Sequence, residues 1–321
     1  MNSVSEKTIS IVLPCYNTAS CLDALYQRLC LTLENLVDDF EIIMVNDCSP
    51  DNDWEIIKEL AKKDSRVKGL SLSKNFGQHT AITAGLDVSL GKYVVVMDAD
   101  LQDQPEEIQK LYVEAINGYD VVLARRSKRK DPFFKKLGSK LFYKVYDFLS
   151  DAVTDNSVAN FGIYSRKVID SFCLMREKDR NFVSFIQWLG YKTKYVDVIH
   201  AARFAGETSY SLIRQIQLGL RTIISFSNKP LFFSVQLGFW MSLLAFMVGI
   251  YFIFKYLILK SAITGWTSLI VSMYFLSGLV LMNLGIVALY IAKIYDEVKH
   301  RPLYIVNAIE NLEFCDILSK T

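Results

Sequence analysis

Two stretches carry no charged residue at all: Pro230 to Phe254, between Lys229 and Lys255, and Ser261 to Ala292, between Lys260 and Lys293. Each exceeds the roughly 20 apolar residues that carry a helix across a bilayer. Core helices of soluble domains rarely run so long without a charged edge, so the pattern predicts two transmembrane helices, over 230–258 and 264–292. They concentrate the apolar excess of a 321-residue chain that is 51% hydrophobic. Arg214, Arg221 and Lys229 precede the first span and Lys293, Lys299 and Arg301 follow the second, while the short connection has only Lys255 and Lys260. This excess of basic residues predicts a multi-pass protein of the cytoplasmic membrane with both termini in the cytoplasm. The opening "MNSVSEKTISIVLPCYN" has no basic region leading into an apolar run, so no signal peptide is expected.

Residues 8 to 123 alternate between apolar runs ("TISIVLP", "FEIIMVND", "VKGLSLS", "YVVVMDAD", "YDVVLAR") and helical-looking segments. That alternation predicts an α/β domain, a mostly parallel sheet covered by helices, within a cytosolic unit spanning 1–210. Ligands of such sheets bind beyond the carboxyl ends of the strands. Those ends read Pro14-Cys15-Tyr16-Asn17, Asn46-Asp47-Cys48-Ser49, Lys74-Asn75-Phe76-Gly77 and Asp98-Ala99-Asp100. Polar groups from four strands should therefore meet on one rim. The cysteines at 15, 21, 30, 48, 173 and 315 show no CxxC spacing and are expected as reduced packing residues.

Between 125 and 144, nine Lys or Arg residues accompany a single Asp and several aromatics. Beside a membrane anchor this composition suits anionic lipid head-groups, each basic residue contributing about 1 kcal/mol, rather than nucleic acid. Residues 211–229 place Arg214, Gln217, Arg221, Ser225 and Asn228 at spacings of three and four, as expected of an amphipathic interfacial helix. Residues 293–321 are left as a cytosolic tail.

The fourth run ends in carboxylates that repel one another unless something neutralises them. Mg²⁺ or Mn²⁺ would do so, being hard cations that prefer carboxylate and amide oxygens. Asp98, Asp100 and the amide oxygen of Gln102 form the candidate metal set.

Taken together, "PCYN", "VNDCSPDN", "KNFGQ", "AGLDVSLGKYVVVMDADLQDQPEE", "GYDVVLARR" and "RFAGETSYSL" resemble the successive motifs of family 2 glycosyltransferases with a GT-A fold. The resemblance is to the polyprenyl-phosphate subgroup and continues through the C-terminal segment, covering nearly the whole chain. It implies a metal-dependent inverting transfer from a nucleotide-sugar donor to a polyprenyl phosphate acceptor, for cell-envelope or O-antigen glycans. Relatives of this kind form tetramers, so a homotetramer is the implied assembly.

By the resemblance, the nucleotide-sugar pocket falls on Pro14, Tyr16, Asn17, Val45, Asp47, Asp98, Ala99, Asp100 and Ser209, with Asp47 accepting hydrogen bonds from the base. Arg126 and Arg203 would contact phosphate, where a bidentate guanidinium serves better than an ammonium. Lys135 and Ser139 would join them around the acceptor phosphate, and Asp100, Arg126 and Arg203 form the implied catalytic group.

Four positions depart from the family pattern. Thr18 stands where Glu is common and Ser209 where Lys is common; Asn160 and Gly162 replace the Asp and Arg of a usual "GDFRL". The competing readings are an aspartate-nucleophile phosphatase, a processive polysaccharide synthase, a transferase acting on a lipid-linked oligosaccharide and a catalytically weak nucleotide-sugar-binding membrane protein. The DxD closes the fourth apolar run rather than the first, which disfavours the phosphatase. "FIQWLG" lacks the Gln-x-x-Arg-Trp of the synthases.

Overall fold

The computed structural model describes residues 7–126, 158–178, 180–199, 229–259 and 265–312. They divide between two compact units. One contains the sheet, together with the segment after residue 300; the other contains the two long apolar helices.

The sheet unit begins with β1 (Ile9–Cys15), α1 (Ala19–Glu34), β2 (Phe40–Asn46), α2 (Asp53–Lys63), β3 (Val67–Leu72), α3 (Gln78–Val88) and β4 (Tyr93–Val96). A 3-10 turn at Pro105–Glu107 leads into α4 (Ile108–Ile116) and β5 (Val121–Arg126). Then come β6 (Val158–Ser165), α5 (Arg166–Leu174), α6 (Phe182–Trp188), β7 (Thr193–Val198) and, after the apolar helices, β8 (Val306–Glu310). These strands form one eight-stranded sheet in the order β7-β5-β6-β4-β1-β2-β3-β8. β3, β2, β1 and β4 are mutually parallel, β6 runs antiparallel between β4 and β5, and β8 lies antiparallel along β3.

The apolar runs become these strands because both faces are covered. Ile9, Ile11 and Leu13 point into a core with Leu22, Leu25 and Leu29 of α1, Ile57 of α2 and Ile108 and Leu111 of α4. Alternate residues face the other way, as strand geometry requires. There α3 approaches so closely that a Cβ on Gly85 would lie 2.5 Å from Val12 Cγ1 and 3.1 Å from Val45 Cγ2, so only glycine fits at that crossing.

β8 falls in the segment expected to be a plain tail. Its strand closes what would otherwise be the open edge of β3, a position that invites unwanted pairing. Just before it, Tyr304 is buried and its hydroxyl donates to Asp87 Oδ2 at 2.8 Å. Arg176 donates to the same carboxylate at 2.8 and 3.0 Å. Beyond the strand, Asn311 Nδ2 donates to the carbonyls of Ala61 and Val67, both at 2.8 Å.

The second unit contains α7 (Lys229–Leu259) and α8 (Trp266–Val298). Both are long and apolar enough to cross a membrane, over Leu231–Tyr251 and Ser272–Val298, and almost none of that surface is buried inside the protein.

Candidate nucleotide-sugar site at the parallel strand ends

The four parallel strands bring their carboxyl ends to one edge, as the alternating pattern predicts. β1 and β2 are in register there, with Pro14 beside Val45 and Cys15 beside Asn46. Two residues in the left-handed region, Asn17 (φ 55) and Cys48 (φ 52), turn the chain away from these strands. The Asn17 N–H donates to Ser49 Oγ at 3.0 Å and the Asp47 N–H to the Cys15 carbonyl at 3.0 Å, tying the two loops together. Tyr16 is 45% exposed, which leaves its ring available for stacking on a base. Val45 and Ala99 are core residues, buried on the apolar side of the rim.

Asp47 is buried and grips the loop after β3. One oxygen accepts the Phe76 N–H at 2.7 Å and the other the Gly77 N–H at 2.8 Å. Burial raises its carboxyl above the ordinary range, and the two backbone donors pull it partly back. Each oxygen keeps a further lone pair, so acceptance from a ligand remains chemically open. Gly77 has φ +94, a conformation that L side chains avoid, with nothing near its Cβ position. Gly77→Ala is therefore expected to cost about 1–2 kcal/mol through backbone strain alone. The result should be a melting temperature lower by several degrees, read by thermal unfolding.

The acidic end of β4 is a tight loop. The ladder stops at Val96, with the Met97 N–H still reaching the Val12 carbonyl at 3.3 Å, so Asp98 and Asp100 lie beyond the strand. Leu101 takes φ 61, and the Gln102 N–H donates back to Asp100 Oδ1 at 3.1 Å. Asp103 turns inward, buried, and Oδ2 accepts the Asp98 N–H at 3.4 Å. It shapes the loop and leaves the other two carboxylates partly exposed.

The sequence reading gave Gln78 no role. It opens α3 and donates through Nε2 to Asp98 Oδ1 at 2.6 Å. With Asp47 holding residues 76 and 77, the ends of β2 and β4 are joined through one turn. The next residue, His79, accepts the Phe182 N–H on Nδ1 at 3.4 Å, and burial lowers its pKa below the ordinary histidine value. His79 thus fastens α6 to α3. Thr18, at the position where Glu is common, sits at the start of α1 and donates its N–H to buried Asp53 at 3.1 Å.

β6 pairs with β4 so that Gly162 lies beside Val96. Continued by two residues in opposite chain directions, that register sets Asn160 at the same edge as Asp98. A Cβ on Gly162 would lie 2.9 Å from both Tyr164 Oη and the Val122 carbonyl, so the Arg common there would not fit this packing. Arg126 ends β5 opposite Val198 of β7. Lys135, Ser139, Arg203 and Ser209, the basic run beyond Arg126 and the amphipathic stretch before Lys229 lie outside the described residues.

Whether this rim suits a divalent cation depends on its donors. Among the described residues no cluster of three or more His, Cys, Asp or Glu is placed to hold a metal. Mg²⁺ and Mn²⁺ do not need such a cage: they are commonly bound by one or two carboxylates plus substrate phosphates. Asp98 and Asp100, hard oxygen donors on a partly exposed loop, fit that mode.

The family model described as glycosyl transferase family 2 matches residues 10–172, the span that contains this rim. The uncharacterized glycosyltransferase YkcC of Bacillus subtilis (strain 168) is 39% identical over 305 residues, covering 95% of this chain and 94% of that one. A prophage bactoprenol glucosyl transferase homolog of Escherichia coli (strain K12) is 34% identical, covering 94% of this chain and 99% of that one. The bactoprenol glucosyl transferase of Shigella phage SfV is 34% identical, covering 93% and 97%. Such likeness extends through the apolar helices as well as the sheet. The chain belongs to glycosyl transferase family 2, and its mostly parallel, helix-covered sheet is the GT-A architecture expected from its motifs.

Proposed function

We propose that this glycosyltransferase moves a sugar from a nucleoside diphosphate to a polyprenyl phosphate at the cytoplasmic face of a membrane, using Mg²⁺ or Mn²⁺. The observation that carries the reading is near full-length similarity to proteins named bactoprenol glucosyl transferases, apolar helices included. The donor would lie across the strand ends, its base beside Tyr16 and Asp47 and its diphosphate at Asp98 and Asp100. A bound cation would neutralise charge on the departing nucleoside diphosphate.

The remaining work is positioning. A phosphate monoester has its second pKa near about 6, so the acceptor is largely dianionic at neutral pH and needs no base to become a nucleophile. That accounts for Asn160 standing where a carboxylate is common: a further negative group at this edge, beside Asp98 and Asp100, would repel the acceptor. The chain's task is to hold two anionic partners in line and to offset charge that builds in the transition state. Arg126 and Arg203 are the guanidinium groups proposed for this, with Lys135 and Ser139 beside the acceptor phosphate and Ser209 beside the donor. Direct attack by the phosphate oxygen on the anomeric carbon inverts its configuration. We expect the basic run and the interfacial stretch before Lys229 to rest on anionic lipid, and the apolar helices to mediate a homotetramer.

The test is a panel of labelled UDP-, GDP- and dTDP-sugars given to the full-length protein with undecaprenyl phosphate and Mg²⁺ or Mn²⁺. Label should enter an organic-extractable, mild-acid-labile lipid from one nucleotide class. Label appearing only on a lipid-linked oligosaccharide, or only as free sugar, would refute the proposed acceptor.

A further inference from the structure

The first turn of α3 is fixed on three sides before any ligand arrives. Asp47 holds the Phe76 and Gly77 N–H groups, the Gly77 carbonyl accepts the Thr80 and Ala81 N–H groups at 3.0 Å each, and His79 is joined to Phe182. Gln78 projects from this turn as an exposed side chain, yet it is held against Asp98 at 2.6 Å. An exposed Gln ordinarily keeps its rotamer freedom, because ordering it costs up to about 2 kcal/mol. A short bond to an ionised carboxylate is the kind that offsets such a cost. Gln78 also directly follows the two residues whose backbone is gripped by Asp47, a residue of the same rim.

We propose that Gln78 is a positioning residue for Asp98. Its amide N–H steadies the carboxylate in the orientation in which it receives the donor's diphosphate and the accompanying cation. The inference rests on the reading of Asp98 as a donor-site ligand. It adds that the order of this ligand is built in beforehand, from a helix turn that itself makes no contact with the cation. Partners that orient metal ligands in this way change metal affinity by about 10–100-fold when removed. The acceptor side of the site should not sense the loss.

The experiment uses the full-length protein in detergent and measures free Mn²⁺ by its EPR signal at fixed UDP, and again at fixed GDP. Gln78→Ala should raise the half-saturating Mn²⁺ concentration by about 10-fold or more. Gln78→Met, which keeps the length and loses the donor, should do the same. Both should leave the KM for undecaprenyl phosphate unchanged, and Asp98→Ala should abolish nucleotide-dependent Mn²⁺ uptake. If Asp98→Ala abolishes uptake while both Gln78 variants keep the wild-type midpoint, the positioning role is wrong and the donor-site reading stands. A Met variant that binds like wild type while Ala does not would assign the effect to bulk, again overturning the role. Fewer binding-competent molecules with an unchanged midpoint would reduce Gln78 to a structural residue. If Asp98→Ala itself leaves uptake intact, the reading beneath the inference fails as well.

Discussion

Asp100→Ala is expected to reduce sugar transfer by about 10³-fold or more, equivalent to about 4 kcal/mol of lost transition-state stabilisation. The loss follows from where the charge sits. β4 stops at Val96, the chain turns through Leu101 at φ 61, and Asp100 is left on a partly exposed loop, where we propose that the donor's diphosphate is neutralised. Alanine removes the charge and also the acceptor of the Gln102 N–H. Asp100→Asn separates the two effects, because its side-chain oxygen still accepts that N–H while the charge is gone. We expect the Asn variant to fold like the parent, with an unshifted melting temperature, and to transfer almost as little sugar as Ala. Label in the lipid fraction, compared with the unfolding midpoint, gives the answer. Full activity of Asp100→Ala in chelator-treated buffer would overturn the assignment of Asp100 to a metal.

The second large effect concerns stability. Tyr304→Ala should cost about 4 kcal/mol, the usual range for removing a buried aromatic side chain. The ring is 2% exposed, and its hydroxyl donates to a carboxylate that is itself 1% exposed. Burial, and next the charge of Asp87, push the phenol well above its ordinary pKa, so it stays protonated and donates throughout the working range. Tyr304→Phe keeps the ring and loses only the bond to a charged acceptor, about 1.5–3 kcal/mol, because Arg176 still pairs with Asp87. For a sheet unit of this size each kcal/mol lowers the melting temperature by about 2–4 °C. Thermal unfolding in detergent should therefore rank Ala below Phe and Phe below the parent, with Ala lower by about 10 °C. An Ala variant melting with the parent would mean that the segment after residue 300 is not seated as described.

Much of this architecture was legible because charge and hydropathy change abruptly along the chain. Uncharged stretches long enough to span a bilayer announced α7 and α8, and mostly apolar runs between helical-looking segments announced β1, β2, β3 and β5. β4 was legible as a strand but drawn too long, since Asp98 and Asp100 follow its apolar residues without a break while the ladder ends at Val96. β8 was not legible. "VNAIE" is short, partly polar and follows a long apolar helix, so it becomes a strand only because the open edge of β3 accepts it. The site shows the same division. Carboxylates at a strand end can be read from composition alone, and the motifs pointed to Asp47. That Asp47 grips the Phe76 and Gly77 backbone, and that Gln78 reaches Asp98, depends on backbone donors and on tertiary placement, which residue types do not encode.

The antiparallel strand along β3 also imposes an order of events. A chain is made from its amino end, and domains tend to fold as they emerge. Here the last strand of the sheet leaves the ribosome only after both apolar helices have been synthesised. Until then β3 has one unpaired side and Asp87 lacks its tyrosine. The enzyme's sheet is completed last, and only in a molecule whose greasy helical pair has already been made.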